Sequence, residues 1–299
     1  MISSGKELDR KNKNRKLIER FPGLTLEWEV TKLYSGKSKF FDILIGKNDF
    51  IGTFLALDND IQSSEYDTHI LHEMLVHTAL ATLEKPKDVL LIGDGEGAAI
   101  PEILKYDSVN KVEWVDIDKK LVRVCSRFLP YAWKGKDRRV RYTSCDGYKF
   151  ITQQKIRKMK FDAIILDVTK LGKANKNELF TSHIISMLKS VLKKNGVVIT
   201  VPRIFFPNNA NDANANQIYK EFKYIRMVHF FLPSYMGVQR FIIASDRVDP
   251  YSIPKDKIKM RIKNFSSSLK YYDENCHHTS LAMTKDIILK NKYMRTYEK

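Results

Sequence analysis

Asp167 ends the apolar stretch "FDAIILD", and Lys170 and Lys173 follow it in "VTKLGKAN". Such a run reads as a buried strand whose tip delivers a carboxylate to the cleft where open α/β sheets hold their ligands. A carboxylate there can bind a cation or take a proton from an amine. A lysine three residues later can pair with the acid and silence it, can receive a ligand's carboxylate, or, desolvated, can act as a base itself.

A second group stands upstream. The strand "VLLI" runs into "GDGEGAA" and then a helix, with Gly93, Gly95 and Gly97 free to turn tightly and let a ligand approach the backbone. Asp116 ends the next strand, 23 residues after Gly93, where a carboxylate accepts both hydroxyls of a ribose. Glu96, inside the glycine loop, repels a pyrophosphate. Asp146, before Gly147 in "CDGY", ends a third strand; it can accept from an adenine amino group, or serve only as a turn residue. A site of this kind, ringed by acids and without provision for phosphates, suits a cationic nucleoside: S-adenosylmethionine or a relative. His69, His72 and His77 share one helix at near-helical spacing, but no acidic or cysteine partner is placed to complete a metal site, and no metal is expected.

The elements that must position these groups follow from periodicity. "LTLEWEV", "KFFDILIGK" and "FIGTFLALDNDIQ" alternate polar and apolar residues between the turn signals "YSGKS" and "GKND", which predicts a small β meander. "YDTHILHEMLVHTALATL" has the spacing of an amphipathic helix. From "KDVLLIG" onward, continuous apolar strands alternate with helices, the rhythm of a parallel sheet covered on both faces. "MVHFFLP" and "QRFIIASD" add two more strands before a final helical segment. The expected fold is α/β: a Rossmann-like, methyltransferase-type, mainly parallel sheet with a small N-terminal β domain. The expected organisation is a basic, helical N-terminal segment over 1–20, a β-hairpin domain over 21–70 and a nucleoside-binding catalytic domain over 71–299.

Composition narrows the function classes. The 299 residues are 43% hydrophobic, enough for a large core, and no run of about 18 apolar residues predicts a membrane span. No apolar segment follows the first charges, so no secretory signal is expected. Cys125, Cys145 and Cys276 are far apart and read as reduced thiols of a cytoplasmic protein. The net charge of +17 favours anionic ligands, but the lysines are scattered and not interleaved with aromatic residues, so a nucleic-acid partner is not expected.

"LALDNDIQSSEYDTHILHEMLVH", "VLLIGDGEGA", "VDID", "CDGYKF", "FDAIILD" and "LKYYDENCHHTSLAM" together resemble the polyamine aminopropyltransferases, typified by spermidine synthase, from about Trp28 to Met283. The resemblance implies a homodimer or tetramer that moves an aminopropyl group from decarboxylated S-adenosylmethionine to a small-molecule amine. By position it implies ribose binding for Asp116, adenine contact for Asp146, the aminopropyl end of the donor for Glu96, and the donor wall for Gln62 and His72. Asp167 matches the first acid of the family's D-S-S/T-D-P motif, and Tyr235 in "LPSYMG" a tyrosine bordering the amine site.

The departures fall on the reacting side. Lys170 stands where the family has the acid that deprotonates the acceptor, Leu171 where it has proline, and Leu71, Phe41 and Val201 replace a tyrosine and two glutamines. Two unit charges about 4 Å apart at an effective dielectric of about 20 interact by about 4 kcal/mol, so a lysine facing the acceptor works against a cationic amine. Lys170 therefore predicts an altered acceptor site, with three other outcomes left open: methyl or aminocarboxypropyl transfer from intact S-adenosylmethionine, or an inactive, nucleoside-binding regulatory homologue.

Overall fold

The computed structural model describes residues 15–21, 23–168, 182–201 and 221–282. Five antiparallel strands, β1 (Arg15–Phe21), β2 (Leu24–Lys37), β3 (Asp42–Asn48), β4 (Gly52–Leu57) and β5 (Asp60–Ser64), pair in sequence order into an N-terminal sheet. The expected helix before residue 20 is corrected over Arg15–Phe21. That segment is a strand in register with Phe21↔Leu24 and Arg15↔Val30. Its alternation escapes hydropathy because one inward residue is an acid: Leu17 and Glu19 are buried while Ile18 faces out. Glu19 is satisfied inside, accepting from Trp28 Nε1 at 2.7 Å and from the Ile61 amide at 2.9 Å.

The "YSGKS" turn is also displaced. β2 continues through it to Lys37, absorbing an extra residue at Leu33 where the register with β3 shifts. The reversal comes at Ser38, whose hydroxyl accepts from the amides of Phe40 and Phe41 at 3.0 and 2.9 Å.

Helix α1 (Thr68–Leu80) leads into a seven-stranded sheet built from β6 (Asp88–Gly93), β7 (Lys111–Asp116), β8 (Val140–Ser144), β9 (Phe161–Asp167), β10 (Leu192–Thr200), β11 (Tyr224–Leu232) and β12 (Gly237–Ser245). Its order is β11-β12-β10-β9-β6-β7-β8, parallel from β10 to β8, with the β11–β12 hairpin added antiparallel. Helices α2 (Ala99–Leu104), α3 (Lys119–Phe128), α4 (Gly147–Ile156), α5 (Ser182–Val191), α6 (Lys255–Ile262) and α7 (Glu274–Leu281) complete the chain. Two apolar clusters cover the two faces, one containing Met74, Ile100 and Phe241, the other Phe150, Phe161 and Leu188.

Two features of this topology locate the site. The chain leaves β6 for β7 and β8 and returns to β9 on β6's other side, so the sheet has a topological switch point between β6 and β9, and a crevice opens at their carboxyl ends. The N-terminal sheet packs on α3 and the residues just after it, with Ile43, Ile45, Leu55 and Leu57 against Leu121, Val124 and Leu129, and β5 is joined to the same region through Ser63 Oγ, 2.9 Å from Tyr131 Oη. No helix among the described residues is long and apolar enough to cross a membrane.

Candidate active site

The glycine loop is folded as its composition demands. Gly93 has φ +87°, and a Cβ there would stand 2.1 Å from the Asp167 carbonyl oxygen, so β6 can meet β9 this closely only as glycine. Gly97 (φ +68°) lies under Trp133, Gly95 against Leu121, and Gly147 against Ile92. These close packings put the loop backbone over the ends of β6 and β7.

Four carboxylates converge there. Asp94 and Glu96 lie in the loop, Asp116 at the end of β7 and Asp167 at the end of β9; the first three are buried, and the Asp167 side chain is 11% exposed. Among the described residues no lysine or arginine pairs with any of them. Burial, and then its acidic neighbours, push Asp167 up to about 8. Burial likewise lifts Asp116 to about 7, against the opposing hydrogen bond its Oδ1 accepts from the Asp118 amide at 2.7 Å. Asp94 is also pushed well above the usual carboxylate range, by burial first and by Glu96 next. A pocket that raises several acids together is one built for a cation.

Asp94 is a residue the sequence reading passed over. It occupies the left-handed region at φ +58°, rare for a non-glycine residue, and its two oxygens accept from the Ala98 and Ala99 amides at 3.0 and 2.9 Å. An acid between two glycines, two residues before Glu96, was the available signal. Its Oδ1 lies 3.8 Å from His72 Nε2, and Asp167 Oδ2 lies 4.0 Å from the same nitrogen. The fold thus supplies His72 with the acidic neighbours that the sequence around it did not offer, and the three donor atoms stand within 4.8 Å of one another, close enough to share a cation.

The helix histidines do not act together. His77 is buried away from the crevice, bonded to Tyr106 Oη at 3.1 Å and Glu102 at 2.9 Å. His277 lies between Tyr272 Oη and the Pro250 carbonyl, a structural position.

The remaining expected residues are distributed as follows. Asp146 is half-buried at the start of α4, where its Oδ1 accepts from the Lys149 amide at 3.0 Å. Gln62 on β5 is buried, its Nε2 donating to the Asp60 carbonyl at 2.8 Å and its Oε1 without a hydrogen-bond partner among the described residues. Tyr235 donates to the Gln62 carbonyl at 2.5 Å, and the Ser234 amide donates to Asp67 at 2.6 Å, so the β11–β12 turn is tied to the entry of α1. Phe41 and Leu71 are buried in apolar clusters. Lys170, Leu171 and Lys173 lie outside the described residues.

Comparison with known proteins shows the chain's relatives. A model of the spermine/spermidine synthase domain matches residues 68–252. The chain is 33% identical over 256 residues to polyamine aminopropyltransferase 1 of Hyperthermus butylicus, covering 84% of this chain and 87% of that protein. It is 32% identical over 279 residues to a polyamine aminopropyltransferase of Saccharolobus islandicus, covering 88% and 91%. A spermidine synthase crystallised with the transition-state analogue AdoDATO superposes with a TM-score of 0.84 at 28% identity, over 93% of this chain and 94% of the other. Spermidine synthase from Thermotoga maritima gives 0.83 at 28% identity, over 96% and 99%. The crevice of acids therefore sits in a chain that belongs to the spermine/spermidine synthase family.

Proposed function

We propose that this chain is an aminopropyltransferase that moves the aminopropyl group of decarboxylated S-adenosylmethionine to a primary amine. The observation that carries the reading is the set of four acids, Asp94, Glu96, Asp116 and Asp167, facing one crevice without a lysine or arginine among the described residues. A donor with a sulfonium and an ammonium relieves their mutual repulsion. A donor that keeps its carboxylate adds a fifth negative group.

In this reading Asp116 takes the ribose hydroxyls, Asp146 the adenine amino group, and Glu96 the ammonium end of the donor, with Gly93, Gly95, Gly97 and Gly147 giving the backbone clearance. Gln62 and His72 wall the donor, and Asp167 and Tyr235 border the acceptor. The reaction is an in-line displacement: the amine lone pair forms a bond to the carbon beside the sulfonium, and the C–S electron pair leaves with a neutral thioether. The sulfonium supplies the leaving group, so the protein's work is to hold the two partners in line and to provide an uncharged amine. Lys170, which replaces an acid at the acceptor, belongs to a changed acceptor preference in this scheme. The reading also includes a homodimer or tetramer and a cytoplasmic location, supported by three free thiols.

Incubation with decarboxylated S-adenosylmethionine and a panel of diamines and polyamines tests this. Mass spectrometry should find the aminopropylated amine and methylthioadenosine in equal amounts. No product with any amine would contradict the reading and favour a nucleoside-binding homologue without turnover.

A further inference from the structure

The net charge of +17 finds no use in a crevice of acids. Part of it gathers at the opposite end of the sheet. An open depression of about 470 Å³ lies at the amino end of β10, where α5 ends, β11 begins and β12 runs out. The register brings these segments together: Tyr224 pairs with Ser245, and Ser245 Oγ donates to the Gly196 carbonyl at 2.8 Å. Five cations from the four segments line the depression, Lys189, Lys193, Lys194, Lys223 and Arg247, against a single acid, Asp246.

Two of the five are paired and held. Lys189 Nζ lies 3.0 Å from Asp246 Oδ2 and 4.9 Å from the centre of the Phe222 ring. Lys193 Nζ donates to Asp88 Oδ2 at 2.6 Å and to Asp162 Oδ2 at 2.8 Å. Lys194, Lys223 and Arg247 are exposed and have no acid partner among the described residues. Their backbone is nonetheless fixed. The Lys223 amide donates to Asp246 Oδ1 at 3.2 Å, and the Arg247 amide to Ser245 Oγ at 3.3 Å. Lys223 Nζ also stands 4.8 Å from the centre of the Tyr224 ring.

Cations that converge on one concavity repel one another unless an anion lies between them. The shape selects the anion. A nucleic-acid strand is tracked by a long basic groove with aromatic faces for its bases, whereas a bounded depression of this size fits a small molecule. Three unpaired cations exceed what one phosphate group needs, and they match a chain of phosphates, with the Arg247 fork able to take two oxygens at once.

We propose that this depression binds a short phosphate chain, the triphosphate of a nucleotide or inorganic tripolyphosphate. Lys194, Lys223 and Arg247 grip the oxygens, and the paired Lys189 and Lys193 add positive potential behind them. The site lies at the amino end of the parallel strands, away from Asp116 and Asp167 at their carboxyl ends, so the phosphate chain and a nucleoside donor bind independently. Phosphate binding here requires no aminopropyl transfer.

Isothermal titration of the full chain at about 0.15 M salt, without magnesium, tests this with inorganic tripolyphosphate, ATP, AMP and orthophosphate. Tripolyphosphate should bind at least about tenfold tighter than orthophosphate or AMP, and Lys194→Ala/Lys223→Ala/Arg247→Ala should weaken it by at least about tenfold. The control, Lys257→Ala/Lys259→Ala/Lys263→Ala, removes as many exposed cations at α6, whose Ile258 and Ile262 pack on the other face of the sheet from Leu188 and Leu192. It should change the affinity by less than about twofold. Equal affinity for ATP assigns the phosphate chain alone, tighter ATP a nucleotide and weaker ATP the inorganic chain; each supports the site. Absence of tripolyphosphate binding would overturn the proposal, as would equal losses in the two variants, which mean unspecific surface charge. Displacement of tripolyphosphate by saturating decarboxylated S-adenosylmethionine would overturn it by placing the anion in the crevice. A short single-stranded RNA that binds tighter than tripolyphosphate and is lost in the first variant would overturn it in favour of a nucleic-acid surface.

Discussion

Binding of the cationic donor should draw protons off the crevice, and its affinity should rise steeply with pH. Asp116 and Asp167 titrate near 7 and 8 in the free protein, raised mainly by burial. A sulfonium and an ammonium placed among them favour the ionised forms. If the complex holds both acids ionised, each adds an ionisation cost of RT ln(1 + 10^(pKa − pH)), which for the pair is about 4 kcal/mol at about pH 6 and about 0.5 kcal/mol at about pH 8. The difference of about 3.5 kcal/mol corresponds to a few hundred-fold in Kd. At about pH 7 the same two groups release roughly 1.4 protons per donor bound. The donor's aliphatic ammonium, near the lysine range of about 10.4, does not titrate in this window.

Isothermal titration with decarboxylated S-adenosylmethionine, in buffers of different ionisation enthalpy, measures both quantities. A Kd flat between pH 6 and 8 on the order of the experimental error, with heats independent of buffer, would refute the electrostatic argument. The sign for stability is the reverse of the usual carboxylate pattern. Because the folded-state pKa values lie above the unfolded value of 3.8, the folded chain binds more protons between that value and about 8, so the unliganded protein loses stability as pH rises through this range.

Further outcomes follow from single positions. In the proposed site Asp116 makes two charge-assisted hydrogen bonds to the ribose, worth about 1.5–3 kcal/mol each, so on that reading Asp116→Ala should weaken donor Kd by at least about 100-fold while circular dichroism is unchanged; an unchanged Kd would remove Asp116 from the nucleoside pocket. Gly93→Ala drives a Cβ to 2.1 Å from the Asp167 carbonyl oxygen at φ +87°. That backbone clash should cost about 3 kcal/mol or more and lower Tm by roughly 5 °C or more, with donor binding lost alongside. Lys170→Asp returns the acid that the family resemblance expects at this sequence position and, in the proposed scheme, should raise kcat/KM on a simple diamine by at least about tenfold. No gain would assign the acceptor preference to the other departures, Leu171, Leu71, Phe41 and Val201.

Much of the architecture was legible because its signals are local. The strand–glycine–helix sequence at Gly93–Gly97 and the acid ending β7 each announce themselves within a few residues, and the structure brings them together as that pattern requires. β1 was not legible, because its inward face carries Glu19, and only the distant Trp28 and Ile61 show why an acid can lie there. The end of β2 was misplaced because Ser35-Gly36 has turn chemistry, yet the chain reverses only where the Ser38 hydroxyl collects two amides. Asp94 and His72 illustrate a different limit. They lie 22 residues apart in sequence, and nothing local shows that α1 crosses the β6–β9 crevice so that one faces the other. The isolated histidine series suggested a shared helix face, whereas His77 turns inward to Glu102 and His72 alone reaches the acids.

The central claim, that this crevice selects a donor without a carboxylate, is tested most directly by titrating the protein with decarboxylated and intact S-adenosylmethionine side by side at about pH 8. With four acids facing the ligand, the decarboxylated donor should bind at least about tenfold tighter, a difference of about 1.4 kcal/mol. Equal or tighter binding of the intact donor would contradict the account, and would point to a cation, with Lys170 the first to examine, that receives its carboxylate.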